Sequence, residues 1–226
     1  DVAELRANYL ALISLSDFLL GSVLDFFDKN NLWEDTTLIL TTDHGFMLGE
    51  HDWWAKNRMP LYNEISHIPL FIYHPDFKHN NGQRRSVVSQ NIDLMPTFLE
   101  NHNINIPNEV QGKSLLNFLD KEVSTNYSAL FGYWGGGVNI TDGKYTYFKY
   151  PENMNRKDPF QYTLMPTHLR QFFTLEELKT AQMEKPFSFT KGVPVMKIKN
   201  DDKGPSIGNS NGGDNMGFVD TESALY

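Results

Sequence analysis

The stretch Thr41 to Lys56, TTDHGFMLGEHDWWAK, puts an Asp-His pair, a second histidine and a lysine into one loop directly after an apolar run. That run, Thr36 to Thr42 (TTLILTT), is short and rich in Thr, Ile and Leu, which predicts a strand buried on both faces of a parallel sheet. Asp43 and His44 then fall where the strand ends, the edge at which open α/β sheets collect ligands. By itself an Asp-His dipeptide is more ordinarily a turn or a helix cap, because Asp bonds nearby backbone N–H groups. The strand-end position, a glycine at 45 that permits a sharp exit, and a lysine and second histidine in the same loop favour cation binding instead. Asp43 and His44 are therefore candidate metal ligands, and residues of these types make half of a site for hydrolysing an oxyanion ester. Imidazole is a minor ligand for Ca2+ and suits Mn2+ or Zn2+ better, so the pair alone leaves the ion open.

Positioning such a loop requires a layered frame. Leu5, Tyr9, Leu12, Ile13, Leu19, Leu20, Val23, Phe26 and Phe27 recur at helical spacing and predict one amphipathic helix from Leu5 to Asp28. Asn30 and Asn31 suit the left-handed turn that ends a helix, and Trp33-Glu34-Asp35 leads into the Thr36 strand, a helix-to-strand unit of a doubly wound sheet. Ile68 to Tyr73 (IPLFIY) predicts a second strand, ended by Pro75 and the polar stretch Lys78 to Arg85. Asp93 to Asn101 predicts a short helix that tolerates Pro96 only in its first turn, and Gln111 to Leu119 another. From Tyr127 to Tyr150 the composition turns aromatic and Gly-rich, and Asp142-Gly143 between aromatic runs signals an antiparallel hairpin. Thr174 followed by Glu177 is a capping box for a helix from Leu175 to Met183. Asn200 to Asn215 is a polar, Gly-rich loop, and the chain has no internal repeat.

Asp43-His44-Gly45, Leu48-Gly49-Glu50-His51, Trp54, Lys56, Tyr62, Glu64 and Ile68-Pro69-Leu70 together resemble the second metal-binding segment of the sulfatases, members of the alkaline phosphatase superfamily. The similarity extends back through the Leu5 to Lys29 helix and forward through Asn91-Ile92-Asp93-Leu94-Met95-Pro96-Thr97 to Gln111-Gly112-Lys113-Ser114-Leu115, roughly the first half of the chain. Beyond Pro151, TLMPTHLR and PFSFTKG suggest a branch acting on sulfated carbohydrates. The resemblance implies an α/β class: a partial alkaline-phosphatase-like α/β sandwich over residues 1–122, with a smaller antiparallel α+β C-terminal subdomain over 123–226. It favours Ca2+ as the divalent metal on Asp43 and His44. It assigns Lys56 to the sulfate, where an ammonium stabilises developing charge and can protonate the leaving alcohol. His51 is a second catalytic candidate, with a structural hydrogen bond as the equal alternative.

Trp53 and Trp54 offer a sugar-stacking wall, with Trp54 the substrate candidate, although adjacent loop aromatics more often pin the loop to the core. Tyr62 and Glu64 are read as supports beneath the loop. Trp134 to Gly137 (WGGG) allows close approach to a ligand or marks a tight bend, and His168 is a possible substrate contact, with a satisfied surface histidine as the ordinary reading.

The family's nucleophile is a formylglycine made from Cys or Ser in a Cys/Ser-x-Pro-x-Arg motif. This chain has no cysteine and no such serine motif, so the resemblance makes it the C-terminal part of a longer enzyme whose formylglycine lies upstream. Its 226 residues with 40% hydrophobic content suffice for a real core. A net charge of -8 without a basic cluster argues against nucleic acid and phospholipid surfaces, and no apolar run is read as long enough to span a bilayer. A small-molecule or carbohydrate sulfate ester is the expected partner. Two other readings stay open: a phosphate or phosphonate ester hydrolase of the same superfamily, and a non-catalytic binding or structural module.

Overall fold

A computed structural model describes residues 2–56, 60–123, 127–132, 137–149, 160–165, 167, 172–199 and 224–225. Helix α1 spans Val2–Asn30, longer by three residues at its start and two at its end than its periodicity predicts. Asn31 ends it at φ 54°, the left-handed conformation expected there. Phe27 meets Trp33 with tilted rings at 4.8 Å and Trp33 meets Tyr73 edge-on at 4.7 Å, which ties the helix end to the sheet. Much of α1 is exposed: Leu12 is 62% and Phe18 70% exposed, and within the helix only Phe27 is buried. Asp17 is the single charge between Arg6 and Asp25, so the helix is long and apolar enough to cross a bilayer by length and composition. That corrects the sequence reading that no apolar run reaches this length.

Strand β1, Leu38–Thr41, pairs with β4, Leu70–Tyr73, in a two-stranded sheet. The pairing is antiparallel, with Leu38 opposite Tyr73 and Thr41 opposite Leu70, so the expected parallel sheet is not what these two strands form. Nor is β1 buried on both faces. Leu40 and Phe71 are directly opposite and both exposed, because no described element lies over that face. Between the strands run the short β2 (Met47–Leu48) and β3 (Trp54–Ala55), an antiparallel pair, and α2, Asn63–Ser66.

After β4, a 3-10 turn at Asn91–Asp93 feeds α3, Leu94–Asn101, with Pro96 in the first turn where its missing N–H costs nothing. The buried Asp93 carboxylate accepts the Gln90 and Lys113 backbone N–H groups, each at 2.8 Å. Thr97 Oγ accepts the Leu115 N–H at 2.9 Å. These two side chains hold the Lys113 and Leu115 N–H groups, and the following helix α4 is confined to Leu116–Asp120 instead of starting at Gln111.

The aromatic region forms β5 (Ala129–Gly132), β6 (Val138–Thr141) and β7 (Thr146–Lys149), all antiparallel, with β11 (Ala224–Leu225) added beside β7. The Asp142-Gly143 turn forms as expected, with Gly143 at φ 88° and the Asp142 carboxylate accepting from the Lys144 and Tyr145 N–H groups at 2.8 and 2.7 Å. A second antiparallel sheet has the order β8 (Phe160–Thr163), β10 (Val195–Lys199), β9 (Gln182–Glu184). Helix α5, Leu175–Lys179, starts with the expected Thr174–Glu177 capping box but stops short of Met183, which pairs with Met196 in the sheet. The main core joins Met47, Leu61 and Ile65 to Phe148, with Trp53, Tyr62 and Phe131 packed against it, so packing crosses residue 122. His168, Trp134 to Gly136 and Asn200 to Asn215 lie outside the described residues.

Candidate functional site

The exit of β1 builds the site. Asp43 Oδ1 accepts the His44 N–H at 3.0 Å and the Thr42 hydroxyl at 3.3 Å, the local turn that Asp commonly makes. Its other oxygen, Oδ2, lies 3.2 Å from His44 Nε2. The carboxylate therefore caps the turn with one oxygen and faces the imidazole with the other. Desolvation opposes its ionisation, but the His44 charge, the His44 N–H and the Thr42 hydroxyl outweigh it and hold Asp43 below the ordinary carboxylate range.

His44 Nδ1 sits 2.8 Å from the Gly45 carbonyl oxygen, which can only accept, so this bond assigns the proton to Nδ1. With the proton so placed, the lone pair of the uncharged tautomer is at Nε2. Lys56 Nζ donates to it at 2.6 Å. Asp43 Oδ2 and Lys56 Nζ thus both lie against His44 Nε2.

Gly45 is required by close approach. Its N–H donates to the Ile65 carbonyl at 2.8 Å, and a Cβ there would run into the Glu64 carbonyl of α2. Buried Met47 then anchors β2 in the core. The β2–β3 register sets Met47 opposite Ala55 and Leu48 opposite Trp54, and continuing it outward returns Lys56 towards His44. The turn between the two strands is costly: His51 and Asp52 have φ of 52° and 59°, besides Gly49 at 107°, and Ala55 in β3 has φ 73°. Non-glycine residues in that region cost on the order of 1 kcal/mol each.

The other sequence candidates fall around this turn. His51 stacks on Tyr62 at 3.7 Å with rings 10° from parallel, and its Nε2 lies 3.4 Å from Glu64 Oε1. Those contacts set Tyr62 and Glu64 around His51. Trp53 packs on the core cluster. Trp54 lies under the Arg6 guanidinium at 5.6 Å and beside Gly49, where a Cβ would touch its ring. The structure brings Asp43 and Lys56 each against His44.

Arg6 is the residue sequence reasoning missed. Its Nε donates to the Leu48 carbonyl at 2.8 Å, bolting the hairpin to α1. The available signal was its isolation, since it is the only cation before Lys29.

Residues 2–104 match the family described as Sulfatase. The fold of the chain is a partial alkaline-phosphatase-type α/β arrangement. The chain is 36% identical over 118 residues to an N-acetylglucosamine-6-O-sulfatase of Bacteroides thetaiotaomicron, covering 52% of this chain and 21% of that protein. It resembles the solved phosphonate monoester hydrolase from Silicibacter pomeroyi at 28% identity and TM-score 0.51, over 59% of this chain and 30% of the other. A protein solved in complex with its substrate D-glucosamine-2-N,6-O-disulfate shares the fold at 24% identity and TM-score 0.52, over 60% and 29%. The chain thus spans about a fifth of the length of the curated sulfatase it matches.

Proposed function

We propose that this chain carries part of the active site of a sulfatase-type sulfuric ester hydrolase acting on carbohydrate sulfates. The observation that supports this reading is the placement of Asp43 Oδ2 and Lys56 Nζ against His44 Nε2 at the exit of β1, within the segment that matches the sulfatase family. The names of the similar sulfatase and of the substrate in the solved complex support a sulfated amino sugar as the ester.

The donor set fits part of a divalent-cation site. Asp43 is ionised at neutral pH with one oxygen turned to His44, and Nε2 of His44 carries a lone pair. Among the described residues no group of three or more His, Cys, Asp or Glu side chains gathers as a metal site, so these two would be a partial shell. Ca2+ is the ion we favour, with Mn2+ or Zn2+ compatible with the imidazole. A cation bound there would act as a Lewis acid on the ester oxygens.

The chain's own groups do the rest of the work assigned to it. Lys56, exposed at the end of β3, places its ammonium against oxygens that gain charge as the S–O bond breaks, and can pass a proton to the leaving alcohol oxygen. His44, held by Gly45, keeps its lone pair aimed at the site. The attacking group is a formylglycine in this reading and belongs to polypeptide other than this chain.

The test is metal analysis and turnover of the whole enzyme with Asp43→Asn and His44→Ala. Asp43→Asn removes a formal charge at constant size, so bound metal and turnover should both fall steeply, with a milder metal loss in His44→Ala. Full metal occupancy and unchanged turnover in both variants would reduce the pair to a turn. A second reading, phosphonate ester hydrolysis, draws on the likeness to the Silicibacter pomeroyi enzyme. Comparing sulfate and phosphonate monoesters of one alcohol on the whole enzyme separates the two.

A further inference from the structure

The first turns of α1 grip the β2–β3 hairpin at two points from one helix face. Arg6 and Tyr9 are three residues apart, so their side chains leave the helix side by side. The Arg6 Nε–H donates to the Leu48 carbonyl of β2 at 2.8 Å, and the guanidinium lies 5.6 Å from the ring centre of Trp54 in β3. Leu48 and Trp54 are directly opposite, so one arginine spans both strands at that rung. It fills space that only a glycine at 49 leaves, since a Cβ there would come within 2.8 Å of Arg6 Nη2 and 2.9 Å of the Trp54 ring. Tyr9 stacks on Phe46 at 5.7 Å with the rings 27° apart. Met47 pairs with Ala55, so the next rung sets Phe46 beside Lys56.

The hairpin depends on a grip from outside. β2 and β3 are two residues each, and of those four only Met47 is buried. Pairing this short is not stable by itself in water. Its backbone is also strained, with His51, Asp52 and Ala55 at φ 52°, 59° and 73°, a conformation that side-chain-bearing residues keep only where their surroundings impose it. Ala55 directly precedes Lys56. Relaxation of its φ to the ordinary range would swing Lys56 Nζ away from His44 Nε2, from which it stands 2.6 Å.

We infer that Arg6 and Tyr9 are positioning residues for the reaction: from α1 they hold the strained hairpin in the arrangement that keeps Lys56 against His44. The inference rests on the catalytic reading of Lys56 above and adds the residues that place it.

A double-mutant cycle in the whole enzyme tests it. Arg6→Ala should lower kcat on the order of tenfold to a hundredfold, the loss that follows displacement of a reacting group by about 1 Å. KM should change little, because Lys56 acts on charge that develops in the transition state. Tyr9→Ala should have the same effect to a smaller extent. Arg6→Lys should recover part, since one ammonium donates to Leu48 or sits over Trp54 but does not do both. In the Lys56→Ala background, Arg6→Ala should cost little further, because its effect passes through Lys56. A fully additive loss would make Arg6 an independent structural support and overturn the inference, as would an unchanged kcat in Arg6→Ala beside a crippled Lys56→Ala.

Hydrogen exchange on this chain reads the grip without turnover. Arg6→Ala should speed exchange of the backbone amides of residues 46–56 and leave those of β5 to β7 unchanged; unchanged exchange over 46–56 also overturns the inference. Arg6 is exposed, so the variant should keep its fold, and if it does not, Arg6→Lys carries both measurements. Intact turnover in Lys56→Ala would defeat the catalytic reading instead, and exchange would still decide whether α1 holds the hairpin.

Discussion

At the residue scale the decisive group is Lys56. A surface lysine contributes almost nothing to catalysis, whereas removing a charge that meets the transition state costs roughly a hundredfold to a thousandfold in turnover. Lys56→Ala in the whole enzyme should therefore lose about that much with little change in melting temperature, because the side chain is exposed. Lys56→Arg should recover only part, since a planar guanidinium on a different stem cannot replace a point ammonium 2.6 Å from His44 Nε2. Nitrophenyl sulfate needs no proton on leaving and should suffer less from Lys56→Ala than a sugar sulfate. An equal loss on both would leave Lys56 as a clamp without an acid role, and near-normal turnover on both would remove it from the site. Asp43, His44 and Lys56 were legible in sequence as candidates because strand-end chemistry is local. The contacts of His51 with Tyr62 and Glu64 were not, because they depend on two left-handed residues in the turn.

At the element scale, two carboxylates act on backbone N–H groups. Asp93 satisfies two donors from residues 90 and 113 while itself buried, so Asp93→Ala should cost roughly 1.5 to 3 kcal/mol in urea denaturation, the range for hydrogen bonds to charged groups. A loss below about 0.5 kcal/mol would mean that water replaces the clamp, as at an exposed surface position. Asp142 is held below the ordinary carboxylate range by the Tyr145 N–H and then the Lys144 N–H. A depressed folded value contributes stability that is present above the unfolded value and is lost as pH falls through the folded one. The melting temperature should accordingly drop below about pH 4, and Asp142→Asn should shallow that drop; identical acid profiles for the two proteins would contradict the assignment. The hairpin and the α5 capping box were visible beforehand because both are set by residues three or four apart. The stop of α5 at Lys179 was not, since it follows from β9 pairing with β10.

At the scale of the whole molecule, this chain with an aryl sulfate and Ca2+ should show no turnover above a heat-treated control, and should bind the metal no tighter than roughly millimolar, as expected for few ligands. Turnover, or tight binding by calorimetry, would locate the missing chemistry here. The largely exposed helix α1 belongs to the sulfatase-matched segment, which favours a domain helix over a membrane span. Sequence alone determined α1, the strand segments of β1 and β4, the Asp142-Gly143 turn and the α5 capping box, because propensity, periodicity and residue type act over a few positions. Tertiary structure decided that β1 and β4 pair antiparallel, that Arg6 fastens the β2–β3 hairpin to α1, and that Gly45 is fixed by the Glu64 carbonyl. Each of these depends on atoms far apart in the chain meeting at van der Waals or hydrogen-bond distance, and no local pattern encodes which partner arrives.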